Sequence, residues 1–177
     1  MTTVRRSHYE TAFEAYLSRR GTPCVAIEDV KHIAKSRSGA KIFDYIVYPT
    51  GGPACLVDVK GRKTARGGGD GDVRQKSWVT KADLEGLRIW REVFGSEYVA
   101  MFAFVYWLTG DEPLFPPDGD ETFVFAGRRY SFWLVSLDDY ESHHQNRSAR
   151  WKTVWVPTAA FRKLSQRLEI LWPSAPC

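Results

Sequence analysis

Cysteine is scarce in this chain of 177 residues. Cys24, Cys55 and Cys177 are odd in number and far apart, which excludes a disulfide framework. They read as reduced core or tail residues, in keeping with a cytoplasmic location. Long apolar runs are missing as well: the longest, about 98–108, is too short to cross a bilayer as a helix, so no membrane partner is expected. No signal peptide precedes the first helical pattern. His143 and His144 are adjacent, so their side chains diverge, and no Cys/His set has zinc spacing. No Gly-x-Ser-x-Gly elbow accompanies the serines and histidines. The glycine-rich stretch after residue 60 lacks both the setting of a dinucleotide fingerprint and the Lys-Ser/Thr of a P-loop. There is no internal repeat.

What is present points to one globular domain over 1–177, because 44% hydrophobic residues in a chain of this length suffice for one buried core and not for two. Lys and Arg number 25 against 21 Asp and Glu, and this net charge of +4 leans toward a polyanionic partner.

The most informative stretch is 41–63, KIFDYIVYPTGGPACLVDVKGRK. Two apolar runs flank a Pro/Gly turn, and each carries an acid where a buried strand should carry none. An ionised carboxylate in such a place costs several kcal/mol unless it is paired or metal-bound (order of magnitude). Alternation along a strand puts Asp58 and Lys60 on one face and Val57 and Val59 on the other. Pairing of the two runs as a hairpin brings Asp44 near Asp58. Two carboxylates and one ammonium are the composition of a divalent-metal site with a basic residue beside it.

Around this stretch, residues 7–20 read as an amphipathic helix with Tyr9, Ala12, Phe13, Tyr16 and Leu17 on one face. Ser7 is its N-cap, Glu10 its capping-box partner, and Gly21 with Pro23 stops it. Glu10 lies at the edge of the apolar stripe, roughly 90° from its centre, and Glu14 about 40° further toward water. An edge carboxylate can face a cleft or only cap the helix. Residues 24–27 make a short strand and 28–40 a basic loop or frayed helix. After Lys60, Arg62, Lys63 and Arg66 lead into three glycines, a segment too flexible for a core that reads either as a basic flap or as a disordered insertion.

Thr80 caps a helix over 81–94, with Asp83 at its third position and Leu84, Leu87, Trp90 and Phe94 toward the core. The run 98–108 has the pattern of a central strand covered on both faces, serving either the core or a homodimer. A hairpin follows (122–125 and 130–135, turning at 126–128). Then come a short helix around Tyr140, a polar segment 143–150, a strand at 153–156, and a last helix capped by Thr158 and carrying Phe161, Leu164, Leu168 and Leu171. The predicted architecture is a single α/β domain, a mixed sheet with helices on its faces.

Asp44 and Asp58 can supply the oxygen ligands that Mg²⁺ or Mn²⁺ prefers, and Lys60 can orient a water or face developing charge. The order of these elements resembles the PD-(D/E)XK nuclease superfamily: a helix bearing Glu10, then Phe43-Asp44 on one strand, then Asp58-Val59-Lys60 on the next, fourteen positions on, then a helix. Its layout is most similar to the Holliday-junction resolvase branch, over roughly 7–104. The resemblance implies a restriction-endonuclease-like fold with a core at about 7–108 and a C-terminal extension at 121–172. It also implies Mg²⁺-dependent phosphodiester hydrolysis on DNA, branched or damaged DNA included. Glu10, Asp44, Asp58 and Lys60 are then catalytic, and Asp44, Asp58, Glu10 and the Val59 carbonyl are ligands. Phe43 stands where the motif has proline, and Gln75 is followed four residues later by Val79, not tyrosine, so a second motif of one nuclease branch is missing.

Separately, residues 8–14 match the string for which the HYExAFE family of bacterial proteins is named. Arg37, Arg62, Lys63 and Arg66 are candidate phosphate contacts. So are Arg147, Arg150 and Lys152, interleaved with Trp151, which reads as a core residue or as a base-stacking one. The competing reading keeps the fold without catalysis, as a nucleic-acid-binding or interaction module.

Overall fold

The computed structural model describes residues 6–27, 39–64, 76–110 and 122–173. The first helix, α1 (His8–Arg19), starts where Ser7 Oγ accepts from the Glu10 N–H at 3.3 Å, and it stops before Gly21, whose φ of +67° a side chain would resist. Next come β1 (Cys24–Ala26), β2 (Tyr45–Val47) and β3 (Ala54–Lys63) in an antiparallel ladder. The predicted hairpin is β2 and β3, in register Tyr45↔Val57, Ile46↔Leu56 and Val47↔Cys55.

After β3 the chain resumes at β4 (Val79–Thr80) and α2 (Lys81–Phe94), then enters β5 (Tyr98–Leu108). The α2 start has the full capping box, Thr80 Oγ1 accepting from Asp83 N–H and Asp83 Oδ2 from Thr80 N–H. β5 lies parallel to β3 over ten residues, from Ala54↔Tyr98 to Lys63↔Trp107, with α2 in the crossover between them. This pairing explains a departure from the sequence reading. Gly61, Arg62 and Lys63 belong to β3, not to flexible chain, because β5 offers them partners as far as Trp107. Thr64 then anchors the exit, its N–H and hydroxyl both donating to the Trp107 carbonyl.

β6 (Phe123–Phe125) and β7 (Arg128–Ser136) form the second predicted hairpin, turning at Ala126 and Gly127 with φ of +47° and +72°, the left-handed turn that suits strand twist. β7 pairs antiparallel with β5, so β5 has neighbours on both sides and serves the core. The chain ends with α3 (Leu137–His143), β8 (Gln145–Ser148), β9 (Thr153–Trp155), α4 (Thr158–Leu164), β10 (Gln166–Arg167) and α5 (Leu168–Leu171). Sheet order is β1-β2-β3-β5-β7-β10, with β6 also on β7, and a second sheet runs β4-β9-β8.

Two sequence expectations fail near the end of the chain. The last helix is two, interrupted where Gln166 and Arg167 pair with Leu134 and Trp133 of β7. Ser165 Oγ donates to the Phe161 carbonyl there, and Pro157, not Thr158, precedes the first helical residue. The polar segment 143–150 contains a strand, β8, whose solvent exposure hides any alternation.

α1 buries Phe13, Tyr16 and Leu17 against Val57, Val59, Val105 and Phe132 on one face of the large sheet. α2 buries Leu84 and Leu87 against Leu56, Phe102 and Phe104 on the other. Among the described residues no helix is long and apolar enough to cross a membrane. Cys24 and Cys55 are free thiols, and burial pushes that of Cys55 up to about 12.

Candidate active site

On β3, Val57 and Val59 face α1, so alternation turns Asp58, Lys60 and Arg62 toward the α2 face. Asp58 and Lys60 are 5% and 8% exposed. The Lys60 ammonium lies 2.8 Å from Asp58 Oδ1 and 2.7 Å from Oδ2, and 3.0 Å from Asp83 Oδ1. Asp83, a cap in the sequence reading, is therefore also a member of this cluster. Lys41 pairs with the same Oδ1, while Oδ2 keeps the Thr80 N–H at 2.7 Å. Gly86 lets α2 come down onto the 41 segment: a Cβ there would lie 2.2 Å from the Lys41 carbonyl oxygen.

Asp44 precedes β2 and continues the ladder by other means. Its N–H donates to the Val57 carbonyl at 2.9 Å, and its Oδ2 accepts from the Val59 N–H at 2.8 Å. The side chain thus takes the place of a strand partner beside Asp58. In a strand the N–H and C=O of one residue point to the same edge, so the Val59 carbonyl is directed to the edge that Asp44 occupies.

Burial pushes the Asp58 carboxyl up to about 7; Lys60 opposes this, and the nearby Asp44 and Asp83 charges add to it. For Lys60 burial pulls downward, but Asp58 and Asp83 outweigh it and the ammonium is held above its usual range. Burial of Asp83 is likewise outweighed, by Lys60, Lys41 and the Thr80 N–H, and its carboxyl is held well below the usual carboxylate range.

Asp44, Asp58 and Lys60 are brought together, and Lys41 and Asp83 join them. Glu10 is placed differently. It stands on α1, which packs on the opposite face of β3, and its Oε1 accepts from Ser7 Oγ at 3.0 Å. Its main-chain carbonyl accepts from Tyr45 OH at 3.2 Å, so α1 does lie against the hairpin. Among the described residues no three His, Cys, Asp or Glu side chains are grouped as ligands of one ion.

The rest of the 8–14 string has packing partners. His8 Nδ1 is 2.9 Å from Tyr130 OH, Tyr9 covers Gly61, Ala12 and Phe13 are buried, and Glu14 pairs with Arg6 and accepts from Tyr45 OH at 3.3 Å.

Of the candidate phosphate contacts, Arg62 is held by the Gly61 and Trp78 carbonyls and lies 4.0 Å from the Trp78 ring centre. Lys63 is exposed, over Trp107 at 4.7 Å. Arg147, Arg150 and Lys152 are exposed on the β8–β9 hairpin. Arg37 and Arg66 lie outside the described residues.

Sequence reasoning missed Lys41 and the second role of Asp83. Thr80-x-x-Asp83 announces a cap, which uses one carboxylate oxygen; the place of that cap in the crossover between β3 and β5 was the available signal for the other.

No protein-family model matches the chain, and no curated protein matches it significantly. The HYExAFE likeness therefore rests on the string alone. Among solved structures, the chain is similar to Archaeoglobus fulgidus Hjc, a Holliday junction resolvase from an archaeal hyperthermophile, with a TM-score of 0.52 over 96% of each chain at 12% identity. The chain thus has the fold that its motif implied, a central mixed sheet flanked by helices in one α/β domain, shared with that resolvase.

Proposed function

We propose that the protein is a Mg²⁺- or Mn²⁺-dependent endonuclease acting on DNA, with branched or damaged DNA the first substrates to try. The observation that carries this reading is the meeting of Asp44, Asp58 and Lys60 at one edge of β3, in a resolvase-like fold. The donor set fits a hard divalent cation: two carboxylates and a main-chain carbonyl, all oxygen, with remaining positions left to water and a substrate phosphate. Asp44, Asp58 and the Val59 carbonyl would hold the ion, with Glu10 joining as ligand or water anchor once its carboxylate leaves Ser7. When bound, the ion supplies an acidified water and neutralises charge on the phosphate.

Lys60 acts as a cation, not as a base, since two carboxylates keep its proton in place. It orients the water or faces the charge that grows on the phosphate. Asp83 positions Lys60 from the α2 side. Lys63, Arg147, Arg150 and Lys152, together with Arg37 and Arg66, hold the DNA backbone, while Arg62 fixes Trp78.

The test is direct. Purified protein with Mg²⁺ or Mn²⁺ should nick plasmid or cut branched DNA, and Asp58→Ala and Asp58→Asn should abolish this with the far-UV circular dichroism unchanged. Cleavage that survives either substitution in a chromatographically clean preparation sinks the assignment.

One observation favours the second reading, a binding module without catalysis. Asp58 and Asp83 already have ammonium partners in Lys60 and Lys41, so each of these two carboxylates is paired without an ion. Calorimetry separates the two readings: the enzyme takes up a divalent cation and loses it with Asp44→Asn, whereas the module releases no heat with Mg²⁺ or Mn²⁺.

A further inference from the structure

The hairpin of β8 and β9 carries Trp151 at its tip, 66% exposed. This excludes the core reading of that residue. Its loop is ordered: Ser148 pairs with Thr153, Lys152 N–H donates to the Ala149 carbonyl, and Trp151 N–H donates to Ser148 Oγ at 3.2 Å. Lys152 adopts a φ of +47°, unusual for a side chain other than glycine. The Arg150 guanidinium sits 5.1 Å from the Trp151 ring centre. An indole presented to water in this way, on an ordered turn beside a stacked cation, is a platform for a flat ligand.

The charge around it identifies the kind of ligand. On the same hairpin stand Arg147, Arg150 and Lys152, all exposed, and the hairpin carries no acid. Arg147 falls at the irregularity in β8, between Asn146 and Ser148, and its guanidinium lies 5.3 Å from the Trp78 ring centre. Arg62 lies over the same ring at 4.0 Å. Cations and aromatic rings therefore alternate from β3, through Trp78, to the hairpin tip. The hairpin is also tied to the start of α2: Thr80 pairs with Thr153, and Lys81 N–H donates to the Lys152 carbonyl at 2.8 Å. Three residues after Thr80 is Asp83, the partner of Lys60.

We propose that this hairpin binds an unpaired DNA base, Trp151 stacking on the base while Arg147, Arg150 and Lys152 hold the flanking phosphates. In a duplex each base has its two faces covered by neighbours and shows only its edges in the grooves, so a tryptophan face has nothing to stack on. A single-stranded arm or an unstacked base at a branch offers both a ring and phosphates. The substrate class assigned to the candidate site is thus DNA with unpaired bases beside the cleaved strand. Only this last step rests on the nuclease reading; the binding does not.

The experiment measures affinity without metal, by fluorescence anisotropy, for a labelled single-stranded oligodeoxynucleotide and for a blunt duplex of the same sequence. Trp151→Ala should lower the ratio of single-strand to duplex affinity about tenfold, the loss of one base stack, and Trp151→Phe should restore most of it. The exposed position makes a folding defect easy to detect by thermal melting. An unchanged ratio, or an equal loss on both DNAs, overturns the proposal. Because no cleavage is measured, a failed nuclease assay leaves this result standing, and the reverse holds too.

Discussion

The Lys60 ammonium lies 3.0 Å from the Asp83 carboxylate, joining the third strand to the third residue of the helix that follows it. Asp83 is 3% exposed and has three donors around it. Asp83→Asn keeps an oxygen for the Thr80 N–H but leaves the buried Lys60 with one anion fewer. We expect a loss of about 3 kcal/mol at pH 7, read by urea denaturation. The pH dependence has a definite sign. A carboxyl held low in the native state contributes above its unfolded pKa of about 4, and that contribution fades as pH falls below it. The gap between wild type and Asp83→Asn should therefore be full at pH 7 and shrink below about pH 4; a gap independent of pH would refute the ion-pair account.

Asp58 behaves in the opposite sense. Its native carboxyl, at about 7, binds a proton that the unfolded chain has released above its ordinary value of 3.8. Its contribution to stability therefore falls as pH rises between these values and is level above them. Asp58→Asn removes the titrating group, so wild type should lose stability relative to the variant from about pH 4 to pH 7. Parallel stability profiles of the two proteins across that window would show that Asp58 titrates normally.

Gly61 has no room for a side chain. A Cβ would stand 2.2 Å from the Tyr9 ring, so Gly61→Ala should cost about 1–3 kcal/mol through overpacking against α1. The cycle with Tyr9→Ala identifies the cause: in the double variant the alanine should become nearly neutral. Additive losses would mean that the ring is not the obstacle.

Gly86 is a stricter case, since its neighbour is main chain. Alanine in the middle of a helix normally gains about 1 kcal/mol over glycine. Here the Cβ would meet the Lys41 carbonyl oxygen at 2.2 Å, and we expect a net fall in Tm despite that gain. The displaced Lys41 should also weaken its pair with Asp83, which a chemical-shift change at Asp83 would report.

Much of this arrangement was legible in the sequence because it rests on short-range rules. Asp44 and Asp58 stand out as acids in apolar runs, alternation pairs Asp58 with Lys60, and Thr80-x-x-Asp83 announces the helix that follows. Pairing of the two runs about the Pro/Gly turn brings Asp44 toward Asp58, but the register that sets its carboxylate on the Val59 N–H came only with the structure. What stayed hidden depends on the third dimension. Lys41 meets Asp83 only because Gly86 allows close packing, and no periodicity records that. The end of β3 at Lys63 is set by β5, whose Trp107 pairs with it forty-four positions further on, while the three glycines after Arg66 argued locally for flexible chain. Glu10 sits at the edge of its helical stripe as expected, but helix periodicity fixes a direction relative to the helix and says nothing about which face of the sheet the helix will cover. β8 has no buried side to reveal it, and the short β10 is imposed by the free edge of β7 on residues whose own pattern is helical.

Lys152 holds a left-handed backbone at the hairpin tip, where glycine would relieve strain of order 1 kcal/mol. Stability and polyanion affinity therefore pull this one position in different directions. Lys152→Gly should raise the melting temperature while weakening DNA binding and flattening its salt dependence by about one counterion. A screen for thermal robustness would select that change, and would discard with it a charge from the surface proposed to meet nucleic acid.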